Sequence, residues 1–312
     1  MTRGDRFCDL SLAEVKLYLY LTYTTAEGER AGQADEPVAR WWDALLSNDP
    51  TKIDSAVAAI QVDEPQLGPV FQERLAAILC PEGAEAYTWS QLVSAGTALA
   101  RLGDQRDFAE LVAIPAGRYL LGPDKREQQL ERFKIAKYPV TNGQYATFLA
   151  ANQNFPPPAH WSGLTDQQLR TLANHPVTHI SWQDAQAYCR WAGKRLPTAA
   201  EWEAAAAGPE GLNYPYGNQA RPEGGNTLEL RLQTTTPTGV FPGGASPFGL
   251  LDMAGNVSQW TATSGGRAGG GEQAYLVKGG HWGSSMTETG CAFAKSFDAD
   301  SRLPYLGFRV AE

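Results

Sequence analysis

The sequence predicts an α+β protein in which a small helical part precedes a larger part of short strands, a few helices and much ordered loop. Apolar residues recur at helical spacing within residues 1–107, and strand-like runs begin only after residue 108. Turn residues are abundant, with 32 Gly and 20 Pro in 312 residues, yet 9 Trp, 12 Tyr and 11 Phe supply core material. At roughly 100–200 residues per domain, this length predicts two domains, 1–107 and 108–312.

Composition excludes several classes of function. The net charge is −8, from 26 basic and 34 acidic residues, and no run of Lys or Arg predicts nucleic-acid binding. No stretch of about 18 apolar residues predicts a membrane span, and the start MTRGDRFCDLSLAEV lacks the apolar core of a signal peptide. The four cysteines are far apart and form no CxxC, which favours buried free thiols and a cytoplasmic location.

Residues 1–107 are predicted to be helices joined by short loops. Ser11 and Glu14 have the spacing of a capping box, and apolar positions follow at helical spacing. A later helix is expected to end at Gly103, a residue type typical of helix C-termini. Two interpretations stay open, a fragment of a helical-repeat array and a plain helical cap on the next domain. The further helices are predicted at 37–47, 52–61, 67–79 and 88–102.

The second part is predicted to mix strands and helices. The run LVAIPAGRYLLG predicts two short strands around a Pro-Ala-Gly turn. Residues 209–275 are expected to contain few regular elements, and YLVKGGHW and YLGFRVAE predict two strands separated by a long loop. Capping boxes predict three helix starts, at Thr141–Gln144 (through about Ala151), Ser181–Asp184 (through about Ala192) and Thr198–Glu201 (through about Ala207, closed by Gly208).

Tryptophans are expected to anchor this loop-rich part. Trp202 lies inside a predicted helix, and Trp260 follows the adjacent pair Gly255 and Asn256, which favours a turn with positive φ. Because aromatic side chains contribute large buried areas, we expect a structural role for them rather than a catalytic one. The tryptophans expected to anchor the fold are Trp182, Trp191, Trp202, Trp260 and Trp282.

Five motifs occur in one order: LVAIPAGRYLLG, YPVTNGQYATFL, HPVTHISWQDAQAYCRWAGKRLPTAAEWEAAAAG, PFGLLDMAGNVSQWT, and VKGGHW with LGFRVAE. Together they resemble the formylglycine-generating-enzyme (sulfatase-modifying-factor) domain family over roughly 108–312. The resemblance implies a C-type-lectin-like fold. The junction ALARLGDQRDF resembles the end of helical repeats that precede such domains in larger bacterial proteins.

The resemblance also implies which chemistry is missing. Family members that form formylglycine carry a cysteine pair after the GGxW strand, at positions that match Ser284 and Thr289 here. Hydroxyls do not replace thiolates in soft-metal or redox chemistry. Cys291 has no partner nearby in sequence, and Cys189 matches a buried family position. We therefore expect no formylglycine generation.

A second enzymatic branch of the family holds nonheme iron with three histidines. This sequence has four His in total, none of them in residues 1–107, and Pro176 makes a helix through the pair His175 and His179 unfavourable. Hydrogen-bonded or surface histidines are therefore expected rather than iron ligands. No GxSxG motif supports a serine triad. The other two histidines are His160 and His281.

Calcium is the one cofactor that the resemblance suggests, and none is required. The matching positions are Asp252, Gly255, Val257 and Gln259, although the family usually has Glu where this chain has Gln259. Asn226 and Thr227 match part of another such site. The alternative is a Gly-Asn turn held by hydrogen bonds alone.

The segment Gly279–Arg309 resembles the variable region of proteins diversified by bacterial diversity-generating retroelements, which use the same fold. Asp300 and Arg302 match framework positions, whereas the framework arginines expected near Gly290 and Ala294 are missing. The aromatic members of the candidate set form either an exposed binding patch or part of the core. The candidate ligand-contacting residues are Ser284, Ser285, Glu288, Phe293, Lys295, Phe297, Leu303, Pro304 and Tyr305.

The function expected from these observations is non-catalytic ligand binding by a C-terminal loop on a C-type-lectin scaffold. The ligand would be a protein or another macromolecule, and the helical part would bind a partner protein. Two alternatives stay open. One is a metal-dependent oxidase or oxygenase of the formylglycine-generating or nonheme-iron branch. The other is a regulatory module of a larger signalling or conflict system.

Overall fold

The computed structural model describes residues 31–267 and 273–312. Two compact units, Met1–Asp107 and Phe108–Glu312, divide the chain, and each is described by itself below. The helices and strands confirm the α+β class. The helix start predicted at Ser11–Glu14 lies outside the described residues.

Helices make up the described part of the first unit. Thr88 and Gln91 form a capping box at the start of one helix, and Gly103 ends that helix at φ 94°, as predicted. Apolar residues such as Ile60, Phe71 and Leu99 are fully buried between the helices. The short α4 was not predicted. The helices are α1 (Ala31–Leu45), α2 (Pro50–Asp63), α3 (Gly68–Ala77), α4 (Pro81–Ala84) and α5 (Trp89–Leu102).

Two small antiparallel pairs begin the second unit. The predicted strands β1 (Leu111–Ile114) and β2 (Gly117–Leu121) are confirmed. Each pairs with a strand that the sequence analysis missed, β1 with β4 (Phe133–Ala136) and β2 with β3 (Arg126–Leu130). The sequence of β3 is REQQL and its first four residues are exposed, so it carries no apolar alternation to reveal it.

Capping boxes fix the helices of the second unit. The three predicted boxes are present at α6 (Asn142–Ala151), α8 (Trp182–Trp191) and α9 (Ala199–Ala207). A fourth box, from Thr165 to Gln168, begins the unpredicted α7 (Asp166–Thr171). No helix within residues 31–267 and 273–312 is long and apolar enough to cross a membrane.

A four-stranded sheet lies at the centre of this unit, in the order β7-β6-β5-β8. β6 is antiparallel to both β5 and β7, whereas β8 runs parallel to β5. The sequence analysis expected few regular elements in 209–275, and the described residues of that range contain only three short 3₁₀ turns, β5 and the start of β6, as expected. It also expected a long loop between the last two strands, which was wrong in part, because β7 lies within that segment. The strands are β5 (Ser258–Arg267), β6 (Gln273–Lys278), β7 (Ala294–Asp298) and β8 (Leu306–Phe308).

Two tryptophans anchor the core as predicted. Trp202 and Trp260 are fully buried, and the Trp260 indole donates to the Ile180 carbonyl at 2.7 Å. Gly255 and Asn256 have φ of 81° and 64°, which confirms the predicted turn. The expectation for Trp191 was wrong, since it lies at the end of α8 and is 42% exposed. Trp182 and Trp282 are half-buried. Cys80, Cys189 and Cys291 are free thiols, and Cys8 lies outside the described residues.

Candidate functional site

Backbone hydrogen bonds hold the second half of the predicted ligand loop. The amide of Trp182 donates to Ala299 O at 2.9 Å, and that of His179 donates to Leu303 O at 3.0 Å. The Ser258 amide donates to Tyr305 O at 2.8 Å. Residues 299–305 therefore have a fixed path along α8 and the start of β5.

Arg302 fastens the same segment to α8. Its Nε and Nη2 donate to the two carboxylate oxygens of Asp184, at 2.9 and 3.1 Å, and its Nη1 donates to Asp300 O at 3.3 Å. Asp184 is also the capping-box residue of α8, where its carboxylate accepts from the Ser181 amide. Arg302 thus holds this part of the loop against α8.

A shallow depression lies where the loop meets the sheet. Gly280, which follows β6, has φ 63°, and a methyl group at its Cα would lie 2.8 Å from Thr289 Cγ2 and 3.2 Å from Ser284 Cβ. The chain therefore approaches itself closely at this point. The depression is lined by five of the predicted ligand-contacting residues, Ser284, Glu288, Phe293, Lys295 and Phe297, and by Ser258, Val277, Gly280 and His281.

The predicted contact residues differ in exposure. Lys295 and Pro304 are exposed, whereas Ser284 is only 5% exposed. Phe297, Leu303 and Tyr305 are partly buried and pack against the hydrophobic core. The sequence left open whether the aromatic residues form an exposed binding patch or part of the core. Phe297 and Tyr305 do both in part, since each is partly buried and packs against the core.

Two predicted residues stabilise the loop itself. Ser285 and Glu288 form a capping box at the 3₁₀ turn Met286–Thr289, in which the Glu288 carboxylate accepts from the Ser285 amide at 3.2 Å. Glu288 also lies 3.8 Å from the Lys295 ammonium, at the edge of the depression. The side chain of Glu288 therefore has both a local structural partner and a neighbouring positive charge.

His281 is a site residue that the sequence analysis did not select. Its ring stacks on Tyr305 with centroids 3.9 Å apart and planes 10° apart, and Tyr305 lies 6.3 Å from Phe297. The Gly283 amide donates to His281 Nδ1 at 3.0 Å. Burial lowers the pKa of His281 to about 4, so the ring is neutral at pH 7. Its position directly after Gly279 and Gly280 and before Trp282 was the sequence signal that could have identified it as a site residue.

Ser284 and Thr289, the two hydroxyl residues that the resemblance matched to a cysteine pair, lie close together. Ser284 and Thr289 both lie against Gly280, and Thr289 Oγ1 donates to Met286 O at 2.8 Å. Burial raises the pKa of Cys291, and it raises that of Cys189 to about 12. Both thiols therefore stay protonated at neutral pH, which suits structural cysteines rather than reactive ones.

The predicted calcium ligands already have partners within the protein. Gln259 Oε1 accepts from Arg309 Nε at 2.6 Å and from Trp202 Nε1 at 2.8 Å, and Gln259 Nε2 donates to Asp252 O at 2.7 Å. Asp252 Oδ2 accepts from the Gly239 amide, and Gly255 O accepts from the Val257 amide. With a guanidinium bound at Gln259, this set of residues does not fit a calcium ion there.

The buried pair Asn226 and Thr227 lies beside this turn. Asn226 Nδ2 donates to Thr234 O at 2.8 Å and lies 3.4 Å from Asn256 Oδ1. The local role of Asn226 is therefore to connect residue 234 to the Gly-Asn turn. No group of three His, Cys, Asp or Glu side chains in residues 31–267 and 273–312 is placed to hold a metal ion.

The remaining histidines lie away from the depression's lining. His160 and His179 stack with ring centroids 4.2 Å apart, and His175 Nδ1 is hydrogen-bonded to Thr235 Oγ1 at 3.0 Å. Burial, together with the neighbouring His179, lowers the pKa of His160 to about 4. The sequence favoured hydrogen-bonded or surface histidines; His175 and His179 are hydrogen-bonded, whereas His160 is half-buried and stacks on His179.

The sequence profile of the Sulfatase-modifying factor enzyme 1-like domain matches residues 98–312. The chain belongs to this family. Inactive C-alpha-formylglycine-generating enzyme 2 of Mus musculus is 30% identical over 274 residues, which cover 68% of this chain and 88% of the relative. Formylglycine-generating enzyme of Mycobacterium tuberculosis is 31% identical over 224 residues, covering 50% of this chain and 74% of the relative.

Solved structures confirm the fold of this sulfatase-modifying-factor-like chain as C-type-lectin-like. Treponema denticola variable protein 1 superposes with a TM-score of 0.53 at 18% identity, covering 64% of this chain and 94% of that protein. PvdO from Pseudomonas aeruginosa gives 0.51 at 23% identity, covering 64% and 93%. At these identities the similarity concerns the fold alone.

Proposed function

We propose that this member of the sulfatase-modifying-factor family is a non-catalytic binding protein. Its segment Gly279–Arg309 would present the ligand surface to a protein or another macromolecule. The observation that carries the proposal is the depression, because five of the nine predicted contact residues line it together. A rigid scaffold that holds a loop at both ends is a common way to present a binding surface.

The chemistry of the loop supports binding over catalysis. The resemblance described above implies that Ser284 and Thr289 take the places of the cysteines of catalytic members, and hydroxyl oxygens are poor ligands for soft metals. The two buried cysteines, Cys189 and Cys291, have raised pKa values, which disfavours their thiolate forms. A family member described as inactive is among the relatives, at 30% identity.

The stiffness of the loop supports binding as well. The bidentate Arg302–Asp184 pair and the backbone bonds to Ala299, Leu303 and Tyr305 fix the path of the loop before any ligand arrives. A preformed surface loses less conformational entropy on association than a mobile one. The partly buried rings of Phe297 and Tyr305 supply rigid contact area.

The proposal is tested with a phage-displayed library of random peptides selected on the full chain. Selected clones are then measured on two loop variants at exposed positions, Lys295→Glu and Pro304→Asp, which leave the core side chains intact. We expect at least about tenfold weaker binding, or about 1.4 kcal/mol. Lys125→Glu, the same charge reversal on the exposed turn between β2 and β3, is the matched control and should bind as the parent does. Clones that bind all three variants equally, or a selection without binders, would contradict the proposal.

A finer part of the proposal is that the loop residues vary between copies of the coding sequence. The C-type-lectin-like fold shared with Treponema denticola variable protein 1 motivates this idea. The test is a genomic one. A near-identical repeat of the 3′ coding end beside a reverse-transcriptase gene, differing mainly at adenines, would support it. Absence of such a repeat would remove the variation and leave the binding function in place.

The helical residues 1–107 have a separate proposed role, which is to bind a partner protein. Their described helices are held by an internal apolar core, so they do not need the second unit to supply their buried surface. The full chain is sufficient to test this role. Reversing the charge of an exposed helix residue, as in Lys52→Glu, should weaken capture of a partner by the full chain without changing peptide binding by the loop.

A further inference from the structure

The two edges of the four-stranded sheet differ in how they are covered. At one edge, β8 is buried, and the Phe308 carbonyl accepts from the Val140 amide at 2.9 Å. At the other edge lies β7, in which every residue except Phe297 is exposed. No strand within residues 31–267 and 273–312 pairs with the outer side of β7. An exposed edge strand is a template for a further strand, and most proteins cover or interrupt such edges.

The register of β7 determines which of its backbone groups face outward. β7 pairs with β6 in an antiparallel register without a bulge, and beyond its end the Ala299 amide donates to the Gln273 carbonyl at 3.0 Å. In an antiparallel pair, residues that exchange both backbone bonds with the partner alternate with residues that exchange none. Lys295 and Phe297 therefore bond to β6, in phase with Ala299. The residues whose amides and carbonyls face outward are Ala294, Ser296 and Asp298.

These outward groups are available to another chain. The amide and carbonyl of Ser296 have no hydrogen-bond partner among the described residues, and the same holds for those of Ala294. The Asp298 carbonyl accepts from the Ser301 amide at 2.9 Å, so Asp298 offers its amide. Because the strand is exposed, water satisfies these groups in the free protein. The edge thus presents three amides and two carbonyls at the alternate spacing of a strand ladder.

The side chains of β7 define what would fit beside them. Lys295 and Phe297 lie on one face of the sheet and Asp298 on the other. The Lys295 ammonium is 3.8 Å from the Glu288 carboxylate, beyond a normal hydrogen bond, and the Lys295 side chain is 58% exposed. Asp298 forms no ion pair with a residue of 31–267 or 273–312. A paired strand places one residue opposite each of these. An acidic residue suits Lys295, an apolar one Phe297 and a basic one Asp298.

A second copy of this chain is a poor match for the edge. Two antiparallel copies of β7 pair only with outward-facing residues opposite outward-facing residues, because other registers bring no backbone partners together. Lys295 and Asp298 belong to different sets, so no such register places them opposite each other. Lys295 would instead face Lys295, Phe297 or Ala299 of the other copy, and each copy has a net charge of −8. The charges therefore favour a different chain as the occupant.

We propose that β7 binds an extended segment of a partner protein as a fifth, antiparallel strand of the sheet. This inference rests on the binding function proposed above and specifies its mode and ligand. Backbone bonds to Ala294, Ser296 and Asp298 supply affinity, and the opposite side chains supply specificity. Antiparallel pairing is the more stable arrangement for each residue. Along the partner's chain, the segment has a basic residue, an apolar residue, any residue except proline, and an acidic residue.

The probe is a phage-displayed library of random peptides selected on the full chain. We expect the selected peptides to carry this order of basic, apolar and acidic residues. One selected peptide is then synthesised with a single N-methyl group at either of two neighbouring positions. Methylation opposite Ser296 blocks an amide that faces β7 and should weaken binding by at least about tenfold. Methylation of the next residue, whose amide faces away, is the matched control and should change binding by less than about twofold.

Hydrogen exchange measured by NMR reports the same contact from the protein's side. The Ser296 amide has no protein partner, so it should exchange at least about tenfold more slowly when the peptide is bound. The Phe297 amide faces β6 in both states and should not change. These two neighbouring amides distinguish strand pairing from a contact that only covers the side chains.

Variants of the protein complete the test. Ser296→Pro removes an outward amide at a position where an edge strand tolerates proline, and it should abolish peptide binding. Ser296→Ala keeps the amide and should bind as the parent does. The double variant Lys295→Glu with Asp298→Lys should prefer a peptide whose basic and acidic residues are exchanged. If Ser296→Pro lowers the unfolding midpoint, the two methylated peptides decide the question on the parent protein.

The outcomes separate this inference from the binding function. Peptides that bind both methylated forms equally and leave exchange at Ser296 unchanged would overturn strand pairing, while loss of their binding on Lys295→Glu would leave the binding function standing. Peptides with the reverse order of charges would overturn the antiparallel orientation. Self-association of the chain that Ser296→Pro abolishes would overturn the choice of occupant. A selection without binders would overturn both proposals.

Discussion

Arg309 offers the most stringent test of how this fold is held together. Its side chain is fully buried directly after β8, and it donates five hydrogen bonds of 2.6 to 3.2 Å, to Gln259 Oε1 and to the carbonyls of Ala136, Lys137, Leu251 and Asp252. The guanidinium thus joins the end of β4, the Gly-Asn turn and β5. We predict that Arg309→Met, which keeps the volume but removes every donor, destabilises the protein severely.

The magnitude follows from burial. Removing one partner of a buried charged network costs about 3–5 kcal/mol, because the acceptors are left without donors. Arg302→Met is the matched control, since Arg302 is likewise an arginine that makes several hydrogen bonds, to the Asp184 carboxylate and the Asp300 carbonyl, but its side chain is 47% exposed. An exposed pair contributes up to about 1 kcal/mol. The expected difference between the two variants is therefore at least about 2 kcal/mol.

Urea unfolding followed by tryptophan fluorescence measures this difference, because the buried Trp202 shares the acceptor Gln259 Oε1 with Arg309, and the buried Trp260 follows Gln259 in β5. The slope of the transition should be unchanged, so that the midpoint reports stability. Arg309→Lys should fall between the parent and Arg309→Met, since one ammonium cannot reach all the acceptors of a planar fork. Equal midpoints for Arg309→Met and Arg302→Met would refute the reasoning.

Three further predictions follow from other buried groups. The pKa of His160 is about 4 in the fold against 6.5 unfolded, so stability should fall as pH falls from 6.5 to 4 in urea titrations, and His160→Phe should flatten that slope. Lys278→Met leaves the Glu203 carboxylate buried without its 2.9 Å partner and should cost about 3–5 kcal/mol, largely recovered in the double variant with Glu203→Gln. Cys189 and Cys291 should resist iodoacetamide in the native protein and react only after unfolding, as mass spectrometry would show.

Local sequence signals predicted the helices better than the strands. Each capping box is a contact within four residues, so Thr141, Ser181 and Thr198 could be recognised without knowledge of the fold. The strands β5 and β7 were missed because their sequences, SQWTATSGGR and AKSFD, have no regular apolar alternation. Their conformation depends on pairing with β6, which joins residues distant in the chain.

In the candidate site, too, features that depend on local sequence were predicted and features that depend on long-range contacts were missed. The resemblance to variable regions selected loop residues, and five of them line one depression. Ser258 and His281 were missed because the first belongs to β5 and the second follows β6, and only the sheet brings them beside the loop. Exposure could not be predicted either, since Phe297 and Tyr305 divide their rings between core and surface. The spacing of residues in a sequence does not predict side-chain roles that depend on neighbours brought close only by the fold.

The parallel pairing of β8 with β5 has a consequence for how this protein can change. β6 and β8 flank the same strand, so the two ends of the intervening segment are held about 10 Å apart by strand spacing alone. A chain closing between two fixed points loses only about 0.6 kcal/mol more entropy for each doubling of its length. The entropy of closing the segment therefore sets no strict limit on its length, although the buried Thr289 and Cys291 restrict where residues can be inserted or removed. The segment can therefore vary in length as well as in composition while the sheet continues to hold its two ends.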